Sequence, residues 1–373
     1  MDLNGSEAQL DDTSVVRIAA VGDIQPGDSS ICVGFGFSSR YQERQPFTGL
    51  FDEVLPAIQG RDLVFGNLEC TLSLSGLRPT NWHSAQMRGH PAFASALKRA
   101  GFNVLNVANN HAVQHGEQTF RETLSLLEKA GIAACGLKGT GGWSSTPVTL
   151  TTVSGARLGI LGYCLRPRQY GAAEPPYAEG DPDAIRRDVR RLSDQVDNVV
   201  VSLHWGEEFV EAPSAEEVDW GHSFIDAGAV VVLGHHPHVV RPVESYRGGI
   251  IAYSLGNFVG DMVWYPPLRR GMILQVDLAG NKATNVGLLP STTDGNYRPV
   301  ILSGARSTVA ERGFAGLDSQ RYASEIRRTI GAQRRSAYRY AIRNLLRYPP
   351  QILGQLAWMT FKNKLGGMRT NPG

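Results

Sequence analysis

Five apolar, β-branched runs in this chain stop abruptly at short loops of Asp, Glu, Asn or His, and that repeated junction narrows the folds open to it. A run such as Ala229-Val-Val-Val-Leu233 lacks polar alternation, so it suits a strand covered on both faces. The same reading predicts strands at Val15 to Val21, Asp62 to Phe65, Val104 to Val107, Leu158 to Tyr163, Asn198 to Leu203, Ile250 to Tyr253 and Met272 to Val276. Helical periodicity falls between them, at Pro91 to Ala100, Glu117 to Ala130, Asp183 to Val196 and Asp219 to Ala227. Three of these stop at Gly101, Gly131 and Gly228, as helices commonly do. The alternation predicts an α/β layered fold with buried sheets. Toward the C-terminus strand follows strand, through Ile250 and Met272 to Thr284–Leu289, which favours mixed sheets.

The junctions carry the chemistry. Asp23 follows the first run, Glu69 follows Leu63-Val-Phe65, and Asn110-His111 follows Phe102 to Leu105. His204 closes Val199 to Leu203, and His236-Pro-His238 follows Leu233. Each has a plainer explanation alone: Gly-Asp is a turn, tandem Asn caps a helix, and a lone His at a strand end is often an interior hydrogen-bonding group. An acid leaving a buried strand, however, is costly without a cation or a donor. An i, i+2 imidazole pair on a proline-held turn is poor core material, yet it can reach one ion or two. Together the five offer mixed oxygen and nitrogen donors at strand carboxyl ends, where α/β folds build their sites. That set suits a pair of Mn, Fe or Zn ions rather than a closed thiolate zinc site. A sixth junction, Tyr253 to Phe258, brings up Asn257 as a supporting or substrate-contacting group.

The four cysteines have no paired spacing, and four reduced thiols are expected. The first 14 residues are acidic and polar, with no leader-like apolar stretch, so a disordered N-terminus and a cytoplasmic protein are expected. From Arg321 onward eleven Lys or Arg face one acid, a balance of +10, which leaves −8 on residues 1–320 of a chain whose net charge is +2. Residues 306–320 read as an irregular linker into this basic tail. Arg335, Arg339, Arg343 and Arg347 mark one helix face and Tyr338, Ala341, Ile342 and Leu345 another, before Pro349-Pro350 and an apolar stretch with Trp358. Such a tail can lie on an anionic membrane surface or pack on the acidic body. With the body acidic and no nucleic-acid module visible, nucleic acid is not expected as a partner.

The segments VGDIQPG, FGNLECTLS, VANNHAVQHG, SLHWGEEF, LGHHPHVVRPVE and YSLGNFVGD, in that order between about Val16 and Pro290, resemble the calcineurin-like metallophosphoesterases. They resemble more closely the capsule-synthesis CapA family, also described as poly-γ-glutamate synthesis proteins. The resemblance implies a four-layer αββα sandwich, two mixed sheets flanked by helices, over residues 15–305. It implies Asp23, Glu69, Asn110, His204, His236 and His238 as metal ligands, with Glu69 bridging two ions and His111 as a general acid. His235, Glu208, Arg88 and Asn257 are the further catalytic or substrate-binding candidates. Two departures stand out: Gln25 occupies the place of a usual ligand His, so one ion is held weakly or is absent, and Gln114 replaces a common acid that orients its neighbour. The expected activity is hydrolysis or transfer at a phosphoester or at a γ-glutamyl or peptide amide, on a small-molecule, peptide or polymer substrate. Metal-assisted epimerisation at a peptide Cα and a non-catalytic accessory role in a cell-envelope polymer machine are the alternatives. The oligomeric state is not legible.

Overall fold

A computed structural model describes residues 15–41, 47–170, 174–304, 308–311 and 315–368, with side chains up to 359 apart from 311. The first third runs β1 (Val15–Ile24), α1 (Phe37–Tyr41), α2 (Leu55–Ile58), β2 (Leu63–Leu68) and β3 (Thr71–Leu72). It continues through α3 (Trp82–Ala85), β4 (Arg88–Gly89), α4 (Phe93–Arg99), β5 (Val104–Asn106), α5 (Glu117–Lys129) and β6 (Ala133–Cys135). The middle holds β7 (Val148–Thr151), β8 (Arg157–Cys164), α6 (Pro182–Ser193), β9 (Asn198–His204), α7 (Ala215–Asp226) and β10 (Ala229–His235). Then come β11 (Val243–Tyr246), β12 (Gly249–Ala252), β13 (Asn257–Val259), β14 (Arg270–Ala279) and β15 (Lys282–Thr293). The last part is β16 (Pro299–Ile301), β17 (Ala310–Glu311), α8 (Ser319–Arg343) and α9 (Pro350–Met368).

Two large sheets form. One has the order β16-β15-β14-β1-β2-β5-β6 with β13 beside β1, and the other β17-β11-β12-β10-β9-β8-β7. Both are mixed: β1, β2, β5 and β6 are parallel while β14 runs against β1, and β8, β9, β10 and β12 are parallel while β7 runs against β8 and β11 against β12. Side chains alternate along each strand. Ile18 and Ala20 of β1 meet Val200 of β9 and Leu233 of β10 in a core between the sheets. Ala19 and Val21 point the other way, onto Leu97 of α4 and Phe120 and Leu127 of α5. Val199, Val201 and Leu203 cover Ile185 and Val189 of α6 and Val218 and Phe224 of α7. Helix, sheet, sheet and helix make four layers, the sandwich expected, and the double burial explains why the strands read as unbroken apolar runs.

Two segments differ from expectation. α7 starts at Ala215 rather than Asp219 because Ser214 caps it: Ser214 Oγ accepts from the Glu217 N–H while the Glu217 carboxylate accepts from the Ser214 N–H. The stretch expected to be an irregular linker, 306–320, contains β17, which pairs with β11, and Leu317 exchanges backbone hydrogen bonds with Pro213 and Ala215. The tail helices also pack: Tyr348 and Ile352 share a core with Cys32, Val33 and Phe35. The N-terminal 14 residues, expected to be disordered, lie outside the described ones. Among the described residues no helix is long and apolar enough to cross a membrane.

Candidate metal centre

Parallel pairing carries the carboxyl ends of β1, β2 and β5 to one edge, with Asp23 beside Asn67 and Asn67 beside Asn106. In the facing sheet β9 and β10 end together, with His204 beside His235. The turn after β10 is tight. A Cβ on Gly234 would collide with the Tyr253 carbonyl, and His236 and His238 hold φ of 93° and 58°. Left-handed backbone at two non-glycine residues costs on the order of 1–3 kcal/mol each and is characteristic of functional turns.

The ligating atoms of Asp23, Glu69 and His238 lie within 4.8 Å of one another, and so do those of Glu69, His204 and His236. Glu69 therefore belongs to both sets. His238 Nδ1 is 3.1 Å from Asp23 Oδ2 and 3.7 Å from Glu69 Oε2, and His204 Nε2 is 3.5 Å from Glu69 Oε1. Asn110 Oδ1, 2.7 Å from His204 Nε2, can join the second set. Burial pushes Asp23 up, but the hydrogen bond and charge of His238 outweigh it and bring the carboxyl to about 2. Burial pushes Glu69 well up and His204 and His236 well down. Burial also lowers His238, yet Glu69 and Asp23 together raise it to about 10, because two carboxylates facing one imidazole favour positive charge between them. Glu69 Oε1 and both ring nitrogens of His236 are buried without a hydrogen-bond partner. Orphaned carboxylate and imidazole atoms pointing into one cluster fit a divalent transition ion.

The structure brings together all six expected ligands and separates the other candidates. Glu208 joins His236 and His238 within 4.8 Å and lines the cleft beside them. His111 lines the cleft too; its Nε2 is 3.9 Å from Glu69 Oε1 and its Nδ1 2.7 Å from Gln114 Oε1, so Gln114 supplies the orienting acceptor that an acid was expected to provide. Burial holds His111 down at about 4, so its ring is neutral at pH 7. His235 is fully buried, 3.6 Å from Asp23 Oδ1, and away from the cleft wall, so it supports the cluster instead of meeting substrate. Asn257 likewise turns inward: its Oδ1 faces His238 Nδ1 at 3.1 Å and its Nδ2 donates to the Leu268 carbonyl. Arg88 donates to the Ser75 carbonyl and borders a separate small cavity with Asp28 and Ser39, so it is not placed to bind substrate at the cluster. Gln25, in place of a ligand His, donates its amide to Glu69 Oε2 at 3.1 Å.

Some residues escaped the sequence reading. Asn67 Nδ2 donates to Asp23 Oδ1 at 2.8 Å while its Oδ1 accepts from Asn106 Nδ2 at 3.0 Å, which fixes the carboxylate's direction. Its signal was available: Asn67 and Glu69 lie two apart at the end of one strand and share a face. Arg166, just beyond β8, pairs with Glu207 at 2.8 Å and acts electrostatically on His236. The cluster opens into a cleft of about 560 Å³ whose wall includes Trp82, Tyr170 and Trp264 and, from α8, Gln333 and Arg334.

Two mixed sheets between helix layers, with two sets of candidate ligands sharing Glu69 at the strand ends, make this a four-layer α/β sandwich protein with a candidate metal centre. More narrowly, the chain belongs to the bacterial capsule synthesis protein family PGA_cap, which matches residues 17–262. It is 30% identical over 263 residues to the capsule biosynthesis protein CapA of Bacillus anthracis, covering 67% of this chain and 63% of that one. It is 32% identical over 215 residues to a probable polyglutamine synthesis accessory protein of Mycobacterium tuberculosis, covering 54% of this chain and 56% of that one. The chain thus spans less than two thirds of the length of either relative. Among solved structures, a 5'-nucleotidase from Candida albicans matches at 11% identity and a TM-score of 0.39, covering 70% of this chain and 46% of that one, too remote to bear on function.

Proposed function

We propose that the chain is a metal-dependent hydrolase or transferase acting on a phosphoester or on a γ-glutamyl or peptide amide in capsule or poly-γ-glutamate metabolism. One observation carries this reading: Glu69 is shared by two buried ligand sets beside an open cleft. Two ions of Mn, Fe or Zn would supply Lewis acidity and an activated water there. Asp23 and His238 would hold one and Asn110, His204 and His236 the other, with Glu69 between them. His111, oriented by Gln114, stands at the cleft to exchange a proton with the reacting group. Gln25 offers a weaker ligand than imidazole on the Asp23 side.

The test is metal content by ICP-MS on tag-free protein, wild type against Asp23→Ala/His236→Ala. About two equivalents in the wild type and a loss of both in the variant are expected. Wild type without metal, even after incubation with Mn, Fe or Zn salts, would overturn the reading. The accessory name of the mycobacterial relative favours a second reading, a non-catalytic partner in polymer assembly. On that reading the double variant assembles normally and the wild type turns over no phosphoester or γ-glutamyl amide.

A further inference from the structure

α8 belongs to two cavities. Ile330 and Arg334 line the metal cleft, and further along the same helix Ala337 and Ala341, with Leu345 in the turn just past its end, line a groove of about 590 Å³. Steps of three and four residues keep the four helical positions on one face, a strip about 16 Å long at the helical rise. α9 supplies the opposite wall through Leu353 and Leu356. Ser30 and Ile31 border both cavities, so the groove begins where the cleft ends.

The two ends differ in chemistry. Around the cluster the cleft mixes charged and polar groups, Gln25, Glu208, Gln333 and Arg334, with Trp82, Phe209 and Trp264. The groove is lined almost entirely by hydrocarbon and aromatic side chains, and its edge leaves Tyr338, Ile342, Leu345 and Leu346 exposed by 70%, 54%, 51% and 99%. A contiguous apolar surface of this kind marks a binding site more often than chance exposure. A second folded copy would meet the rim, but nothing of globular shape follows a narrow strip from the groove into the metal cleft. A flexible chain does.

We infer that the substrate is an amphiphile, with its reacting phosphoester or amide head at the metal centre and a long alkyl or prenyl chain in the α8–α9 groove. The head half of this inference rests on the proposed function; the groove half does not.

Isothermal titration of the metal-loaded full chain with n-alkyl phosphates of four to twelve carbons, below their micelle concentrations, tests it. Inorganic phosphate gives the zero-carbon point. Affinity is expected to rise about two- to fourfold per methylene, as burial of hydrocarbon predicts. Ile342→Asp/Leu345→Asp, both at exposed positions, should flatten the series while metal content and melting temperature stay unchanged. The same series on Asp23→Ala/His236→Ala should keep its slope with a weaker intercept, so failure of the metal reading remains distinct from failure of the groove. A flat series in the wild type, or a slope the Asp variants leave intact, overturns the inference. So does a flat series accompanied by binding to phosphatidylglycerol vesicles that the Asp variants abolish, which would make the patch a bilayer-docking surface.

Discussion

Asp23 illustrates how much of the centre depends on single atoms. Its two oxygens face Asn67 on one side and His238 on the other, so its direction is set before any ion arrives. Groups that orient a ligand are worth about 10- to 100-fold in metal affinity. Asn67→Ala is therefore expected to weaken Mn²⁺ binding by that factor in a calorimetric titration, with the fold intact by circular dichroism. Unchanged affinity would demote Asn67 to a packing role. The six candidate ligands were legible in the sequence because each interrupts an apolar run with a costly polar group. The roles of Arg88, His235 and Asn257 were not, because nothing in a local sequence says whether a side chain turns toward a cleft or inward. Arg88 found a carbonyl, Asn257 found His238, and His235 was sealed beneath the cluster.

At the scale of elements, the signals that worked were those with a backbone mechanism. Glycines stop α4, α5 and α7, and Gly101, Gly131 and Gly228 hold φ of 103°, 69° and 116°, a region where other residues are strained. Apolar periodicity begins only at Val218 whereas the capping box begins at Ser214, so α7 starts four residues before the Asp219 that periodicity predicts. Ser214→Ala should cost about 1 kcal/mol in urea unfolding without changing metal content. No measurable loss would mean that the backbone bonds between Leu317 and its neighbours Pro213 and Ala215 hold this corner unaided. Short strands such as β6, β13 and β17 carry two or three residues each, too few for any period to show. Neighbouring strands create them.

Across the whole molecule, distant segments meet in ways that set its response to pH. Asp261, after β13, accepts hydrogen bonds from the Ser29 and Phe37 N–H groups, while Asp28 accepts from those of Gly34 and Ser39. Burial, and then the charge of Asp28, raise Asp261 to about 7 from the 3.8 of an ordinary carboxyl. A raised acid stabilises the fold below its unfolded value, and that contribution is lost as pH rises through the folded one. Asp261→Asn should therefore gain stability relative to the wild type between pH 5 and 8, by on the order of 1 kcal/mol or more. A pH-independent difference in urea unfolding would show that Asp261 stays ionised throughout. The residue pattern encodes the layered α/β fold and the candidate ligand types, because burial on two faces forbids polar residues except where they have a task. Which strand ends meet, that Glu69 stands in both candidate ligand sets, and that the tail helix walls the cleft emerge from long-range packing. Those facts depend on sheet order and register: residues 69 and 204 meet at the cluster, and 334 reaches the cleft, through packing that no local pattern encodes.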